Sequence, residues 1–307
     1  MTAPKFEILG IGEVLWDLLP AGKQLGGAPA NFVCHAQALS ASARLISRVG
    51  HDPAGQEIIS RLAGFGLPTE TIAVDAVAPT GTVSVEVSAD GQPRFTIHEN
   101  VAWDRIEAGA NALAAVRRAD AICFGTLAQR TRFARESIGA LLAAARPEAW
   151  RIFDINLRPP FVEEDVIFRS LTAANVLKLN EQELPVLAAL FNLRGEPVHQ
   201  ITALADRFSL RLVALTRGGH GSLLFAGGAI EEHPGLPAVV RDTVGAGDAF
   251  TAAVTIGLLR GWPLEKISRH ANAIAAFVCS QPGATPPLPD SLREPFMGAV
   301  ESASASP

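Results

Sequence analysis

The chain contains no tyrosine. No phenol is therefore present to serve a site as an acid, a base or a hydrogen-bond donor. Cysteine is scarce: Cys34, Cys123 and Cys279, each among apolar neighbours, are the three in 307 residues. Their number is odd and no pair has metal-ligand or redox spacing, so buried thiols in a reducing compartment account for them. Long apolar runs are missing too. None reaches the ~18 residues that a membrane helix needs. Met1 to Lys5 lead straight into a strand-like segment, with no charged leader and apolar run, so no signal peptide is expected. Nor is there a strong charge of either sign. The net charge is −5 and no basic block occurs, so neither nucleic acid nor a membrane is an expected partner. A polyphosphate would have to be held by local features rather than by a global field. A cytoplasmic protein is the expectation.

What is present suits a large core. Hydrophobic residues make up 48% of the chain, and the expectation is one domain over 1–307. Residues 5–11 read as a buried strand. From Asp104 onward, helical and strand-like segments alternate: helices over 104–116 and 132–145, strands over 119–124, 151–155, 176–179 and 211–216. This order predicts an α/β fold, a doubly wound, mainly parallel sheet flanked by helices. Ligands of such sheets sit at the carboxyl ends of the strands. Polar residues gather there: Asp154, Asn156 and Arg158, then Lys178 and Asn180, then Thr216 to Gly219, and finally Asp242. Residues 81–87 and 94–98 instead alternate with period two around Asp90-Gly91, as a hairpin does. With 14–19 and 71–77 they predict a small separate sheet with one wet face.

The most informative stretch is Asp242-Thr243-Val244-Gly245-Ala246-Gly247-Asp248-Ala249-Phe250. A β-prone run, 238–241, precedes it and an apolar run, 249–259, follows. The order reads strand, glycine turn, buried helix. A helix start presents unpaired N–H groups and about half a positive charge, which makes a socket for an anion such as phosphate. Asp248 lies at its lip, placed to take a proton from an attacking hydroxyl. Near the N-terminus, Gly26-Gly27-Ala28-Pro29-Ala30-Asn31 opens a second helix. Glu13 and Asp17 stand in an otherwise apolar run, each either a satisfied structural carboxylate or a ligand group. Val49 to Gly55 reads as a strand-to-helix turn.

Asp-Thr-x-Gly-Ala-Gly-Asp-Ala-Phe resembles the signature of the ribokinase-like (phosphofructokinase-B) carbohydrate kinases. The Gly-Gly to Asn31 pattern resembles the fructokinases among them, and Asp154-x-Asn156-x-Arg158 resembles the fructokinases and the ketodeoxygluconate kinases. The resemblance spans residues 5 to about 300. It implies a ribokinase-like fold with a lid over the sugar site, from segments at approximately 13–25 and 71–99. It makes Asp248 the catalytic base, and Gly245, Ala246 and Gly247 the anion hole. Arg158 then reaches the sugar or the phosphate. Asp17, Gly27 and Asn31 hold sugar hydroxyls and Phe95 packs on the ring. The nucleotide falls to Lys178, Asn180, Thr216, Gly218, Gly219, Asn272 and Gly283. Asn180 and Glu183 hold Mg²⁺ through water, and Asp242 with the 280–283 carbonyls holds K⁺. The lid sheet is a surface for a homodimer.

The function so implied is ATP-dependent phosphorylation of a sugar, fructose at O6 first. Other acceptors within the same family are 2-keto-3-deoxygluconate, ribose or a nucleoside. Outside it stands a non-catalytic sugar- or nucleotide-binding regulator. Relatives that phosphorylate ketodeoxygluconate hold its carboxylate partly with tyrosine hydroxyls. This chain has none, and Asp17 would repel an acid.

Overall fold

The computed structural model describes residues 5–20, 22–87 and 93–298. In chain order it opens with β1 (Glu7–Ile11), β2 (Leu15–Leu19), β3 (Gly22–Gly26), α1 (Ala28–Ala38), β4 (Ser42–Gly50), α2 (Pro53–Gly64) and β5 (Ile72–Asp75). Next come β6 (Gly81–Val87), β7 (Pro93–Ile97), α3 (Ala110–Val116), β8 (Ala121–Phe124), α4 (Arg132–Ala143) and β9 (Trp150–Asp154). They are followed by α5 (Glu164–Ala173), β10 (Val176–Asn180), α6 (Leu184–Phe191), α7 (Pro197–Phe208) and β11 (Leu212–Thr216). The remainder holds β12 (Ser222–Ala226), β13 (Ala229–His233), α8 (Ala246–Leu259) and α9 (Leu264–Cys279).

Among the described residues, nine strands form one sheet in the order β13-β12-β11-β10-β9-β8-β1-β4-β5. From β5 to β11 the pairing is parallel; β12 and β13 add an antiparallel hairpin at one edge. The interior strands are apolar on both sides because both faces are covered. Successive side chains alternate between two cores. Ile8 packs with α1, α2, α8 and α9, whereas Leu9 and Ile11 pack with α3 to α7. The chain runs from β1 outward through β4 to β5, then returns to β8 on the other side of β1. That reversal makes a crevice at the carboxyl ends of β1, β8 and β9.

The second sheet, β3-β2-β6-β7, stands apart. Its alternation separates two roles on β2. Trp16 is buried against α2, donating its indole N–H to the Ala54 carbonyl at 3.0 Å, and Lys23 and Arg61 lie over its ring. Asp17, the next residue, pairs with Gln24 in register on the sheet and is only partly buried.

Four sequence expectations are corrected. Residues 71–77 do not belong to the small sheet: β5 pairs with β4 and closes the edge of the large one. A short strand's pattern does not encode its partner. The small sheet instead recruits β3, whose polar sequence carries little strand signal, so its two segments are Leu15–Gly26 and Gly81–Ile97. The expected 238–241 strand is an exposed loop. Arg241 and Asp242 donate their N–H groups to the Cys279 carbonyl rather than to a ladder. The expected 104–116 helix is a single turn at 102–105 and then α3, parted by residues without helical bonding. The strands β12 and β13 had not been foreseen. Asp90-Gly91 lies outside the described residues.

Candidate active site

The turn into α8 depends on glycine. Gly245 has φ +79°, and a Cβ there would sit 2.2 Å from the Ala284 carbonyl oxygen. That carbonyl also accepts from His35 Nε2 at 2.9 Å. Burial depresses the His35 pKa to about 4, so the ring is neutral and donates. Asp242 braces the approach to the turn. Its two oxygens accept the N–H groups of Val244 (3.0 Å) and Gly283 (3.1 Å). The loop after α9 is thereby tied to the start of α8.

Asp248 sits in the first turn of that helix, and the two motifs meet on it. Asn31, 217 residues away on α1, donates from Nδ2 to Asp248 Oδ2 at 2.9 Å. Gly27 lets α1 start where it does: its φ is +107°, and a Cβ would meet the Glu13 carbonyl at 2.4 Å. The charge next to Asp248 is organised in a chain. Lys178 Nζ lies 3.0 Å from where a Cβ on Gly247 would be, and 3.1 Å from Asp154 Oδ1. Asp154 Oδ2 accepts the Thr251 hydroxyl at 2.9 Å. Burial opposes the ammonium, but Asp154, Glu183 and Asp248 more than offset it and raise the Lys178 pKa.

Four carboxyls here titrate high: burial raises Glu183, with Lys178 opposing, and it raises Glu13, Asp17 and Asp248. Burial pushes Glu13 up to about 7, with Arg158 opposing and Asp248 adding. Burial raises Asp17 to about 6, Arg158 opposing and Asp242 adding. Burial, then Asp154, raises Asp248 to about 6 against Asn31, Lys178 and Arg158. Arg158 itself is exposed, with Nη1 bonded to the carbonyl of Leu157. It is the cation common to Glu13, Asp17 and Asp248. A narrow cleft at the crevice is lined by Glu13, Cys123, Thr126, Asp154, Asn156 and Asp248.

On the other side of Gly247 a groove of about 460 Å³ opens, a size suited to a cofactor-scale ligand. Asn180, Thr216, Gly218, Gly219 and Asn272 all reach its wall. Asn272 is buried, and its amide donates to Ser222 Oγ and the Ser268 carbonyl, both at 2.8 Å, so it fastens α9 to β12. Gly283 stands at Asp242, away from the groove lining. Asn180 and Glu183 are occupied with the local loop. Asn180 Oδ1 accepts from Gln182 and Glu183, and the Glu183 oxygens accept from Leu157 (2.9 Å) and Asn180 (2.8 Å). Among the described residues no group of three His, Cys, Asp or Glu could cage a metal. Phe95 is 63% exposed on β7. Asp242 does not end a strand, as its motif had suggested, but holds a loop.

Glu13 reads from the sequence as a structural carboxylate sooner than a ligand group. It is 4% exposed, its Oε1 accepts the Ala28 N–H at 3.3 Å, and its Oε2 is buried without a partner. The signal was an acid in an apolar run directly after β1, and only the meeting of β1, α1 and α8 gives it a neighbour.

A doubly wound, mostly parallel nine-stranded sheet with a separate small sheet is the ribokinase-like fold. The chain belongs to the pfkB family of carbohydrate kinases, whose family model matches residues 21–291. It is 30% identical to a fructokinase of Klebsiella pneumoniae over 277 residues, covering 86% of this chain and 87% of that one. It is 29% identical over 296 residues to an uncharacterized sugar kinase of Pyrococcus horikoshii, covering 90% and 91%. The crystal structure of that archaeal kinase in complex with ATP superposes with a TM-score of 0.77, covering 91% of this chain and 94% of the other at 27% identity. The protein is a sugar kinase, a phosphotransferase with a sugar hydroxyl as acceptor. No helix among the described residues is long and apolar enough to cross a membrane.

Proposed function

We propose that this kinase transfers the γ-phosphoryl group of ATP to O6 of fructose, with Asp248 as general base. The observation that carries this is the bond from Asn31 to Asp248 beside the first turn of α8. It brings a sugar-binding motif, a base and an anion socket to one point. Asp17, Gly27 and Asn31 bind the sugar hydroxyls, and Phe95 covers the ring when the lid sheet closes. The nucleotide occupies the groove along Asn180, Thr216, Gly218, Gly219 and Asn272, with Gly283 supporting the loop behind it. An archaeal relative binds ATP, and a bacterial fructokinase is 30% identical. Both support this choice of donor and acceptor.

The acceptor hydroxyl lies against Asp248, and its proton passes to that carboxylate as the new O–P bond forms and the bond to ADP breaks. The N–H groups of Gly245, Ala246 and Gly247 receive the phosphoryl oxygens, with Lys178 and Arg158 offsetting charge. The donor set suits a Mg²⁺ ion that keeps most of its water shell on the nucleotide phosphates. Glu183 would stand behind that water, since each of its oxygens accepts one N–H and retains a further lone pair, whereas Asn180 Oδ1 already accepts two and would reach the water only through its Nδ2. Bound Mg²⁺ neutralises charge between the phosphates. Asp242 and the 280–283 carbonyls fit K⁺. The lid sheet, with Leu18 and Phe95 exposed, is where a second copy would pair.

A coupled assay of ADP release against fructose, ribose, 2-keto-3-deoxygluconate and nucleosides tests the acceptor. Fructose is expected to give the highest kcat/KM. A higher value for ketodeoxygluconate would overturn the choice, since it needs a cation where Asp17 stands. No ADP release with any sugar would leave a binding protein.

A further inference from the structure

Glu13 has no part in the reaction as described so far, yet it faces the same cleft as Asp248. Four observations bear on it. Its carboxyl is almost wholly buried. Oε1 accepts the Ala28 N–H at a long 3.3 Å, the carboxyl is also near its own backbone N–H, and Oε2 is buried with no hydrogen-bond partner. The cleft is narrow and partly open, with room for about one water molecule. The groups that face Glu13 are mostly acidic or neutral: Asp248 on α8, Asp154 at the end of β9, Cys123 on β8 and Asn31 on α1, with Arg158 beyond the end of β9. Lys178 is already paired with Asp154.

Two buried carboxylates beside one narrow cleft do not both ionise without a penalty; one of them keeps a proton. Asp248 is the better supported anion. It receives the Asn31 N–H and lies in the first turn of α8, with Lys178 close by. Glu13 lacks comparable donors. An unpartnered buried carboxylate oxygen is costly, whereas a carboxylic O–H has a hydrogen to give.

We propose that Glu13 and Asp248 form a carboxyl pair that shares one proton across a water molecule in the cleft, Glu13 holding the proton and leaving Asp248 free as the base. Glu13 is then a positioning residue. Its Oε1 fixes the Gly27–Asn31 turn, and its O–H, through the water, donates toward Asp248. In the reaction the acceptor O–H breaks, the proton goes to Asp248, the new O–P bond forms and the bond to ADP breaks. Glu13 keeps its own proton throughout. This rests on the reading of Asp248 as the base. The pKa order, Glu13 near 7 above Asp248 near 6, agrees with the assignment.

Difference infrared spectroscopy of the ligand-free protein between pH 5 and 9 tests it without requiring turnover. The expected result is a protonated carboxyl band at pH 6 that is lost with a midpoint near 7. The component with its midpoint near 7 should be absent in Glu13→Gln, leaving the absorption of Asp17 and Asp248, which is lost with midpoints near 6. In Asp248→Asn that component should persist with its midpoint moved to lower pH, because the neighbouring charge is gone. In parallel, wild-type kcat/KM for the sugar should fall on the alkaline side as Glu13 ionises. Glu13→Gln should lose that alkaline fall and keep the acid one. Absence of the component near 7, a midpoint that Asp248→Asn leaves unmoved, or an alkaline fall that survives Glu13→Gln overturns the pair. The base assignment fails separately, if Asp248→Asn keeps wild-type kcat, and the band shift is read independently of that.

Discussion

Asn31 Nδ2 lies 2.9 Å from Asp248 Oδ2, so the first turn of α1 and the first turn of α8 are fastened to each other. The bond has two effects. It orients the carboxylate toward the cleft, and it withdraws some of the rise that burial imposes on its pKa. The remaining value, about 6, leaves Asp248 mostly ionised at neutral pH yet a better proton acceptor than a free aspartate.

Asp248→Asn keeps the shape and the first-turn position but removes the accepting charge. General-base catalysis is typically worth about 10²–10⁴-fold, and kcat should fall by that range. Affinities for ATP and sugar, measured by titration calorimetry, should change little because other groups bind them. A variant within about tenfold of wild-type kcat would remove Asp248 from the mechanism.

Three of these acids make a prediction about stability. Glu13, Asp17 and Asp248 have folded pKa values near 7, 6 and 6, above the ordinary values of 4.5, 3.8 and 3.8. The folded state therefore binds these protons more tightly than the unfolded chain. Their contribution to stability is fully present below about pH 4, and it is lost as pH rises through 6 to 7. At pH 8 each is a charge that the fold tolerates for function. Asp248→Asn should therefore melt at the same temperature as wild type or higher at pH 8, with a smaller advantage at pH 5. Differential scanning fluorimetry at the two pH values decides it, and a large loss of Tm at pH 8 would make Asp248 a structural residue.

Asp242 joins the N–H of Gly283 to the entrance of the Gly245 turn. A monovalent cation held by Asp242 and the 280–283 carbonyls would order that loop, and through Ala284 the socket. Activity should be higher in K⁺ than in Na⁺ or choline at equal ionic strength. Equal rates in all three salts would leave Asp242 as a loop brace alone.

The sequence by itself determined the kind of structure and the local form of the turn at 245–248. Gly245 and the start of α8 are read from local rules, because a glycine with positive φ opening a helix leaves its first N–H groups unpaired. The buried runs at β1, β8, β9, β10 and β11 likewise fixed a covered parallel sheet, since both faces had to be apolar. Partnership was not local. Period-two alternation marks a strand without naming the sheet it joins. So residues 71–77 went to the edge of the large sheet, and polar β3 took the place beside β2. The run before Asp242 had strand propensity but no ladder to enter, and became a loop held by Cys279. Glu13 shows the same limit at the site. An acid in an apolar run is a structural group or a functional one according to what surrounds it. Only the packing of α1 and α8 onto the end of β1 brought Asp248 to its cleft, left its Oε2 unpartnered and raised its pKa.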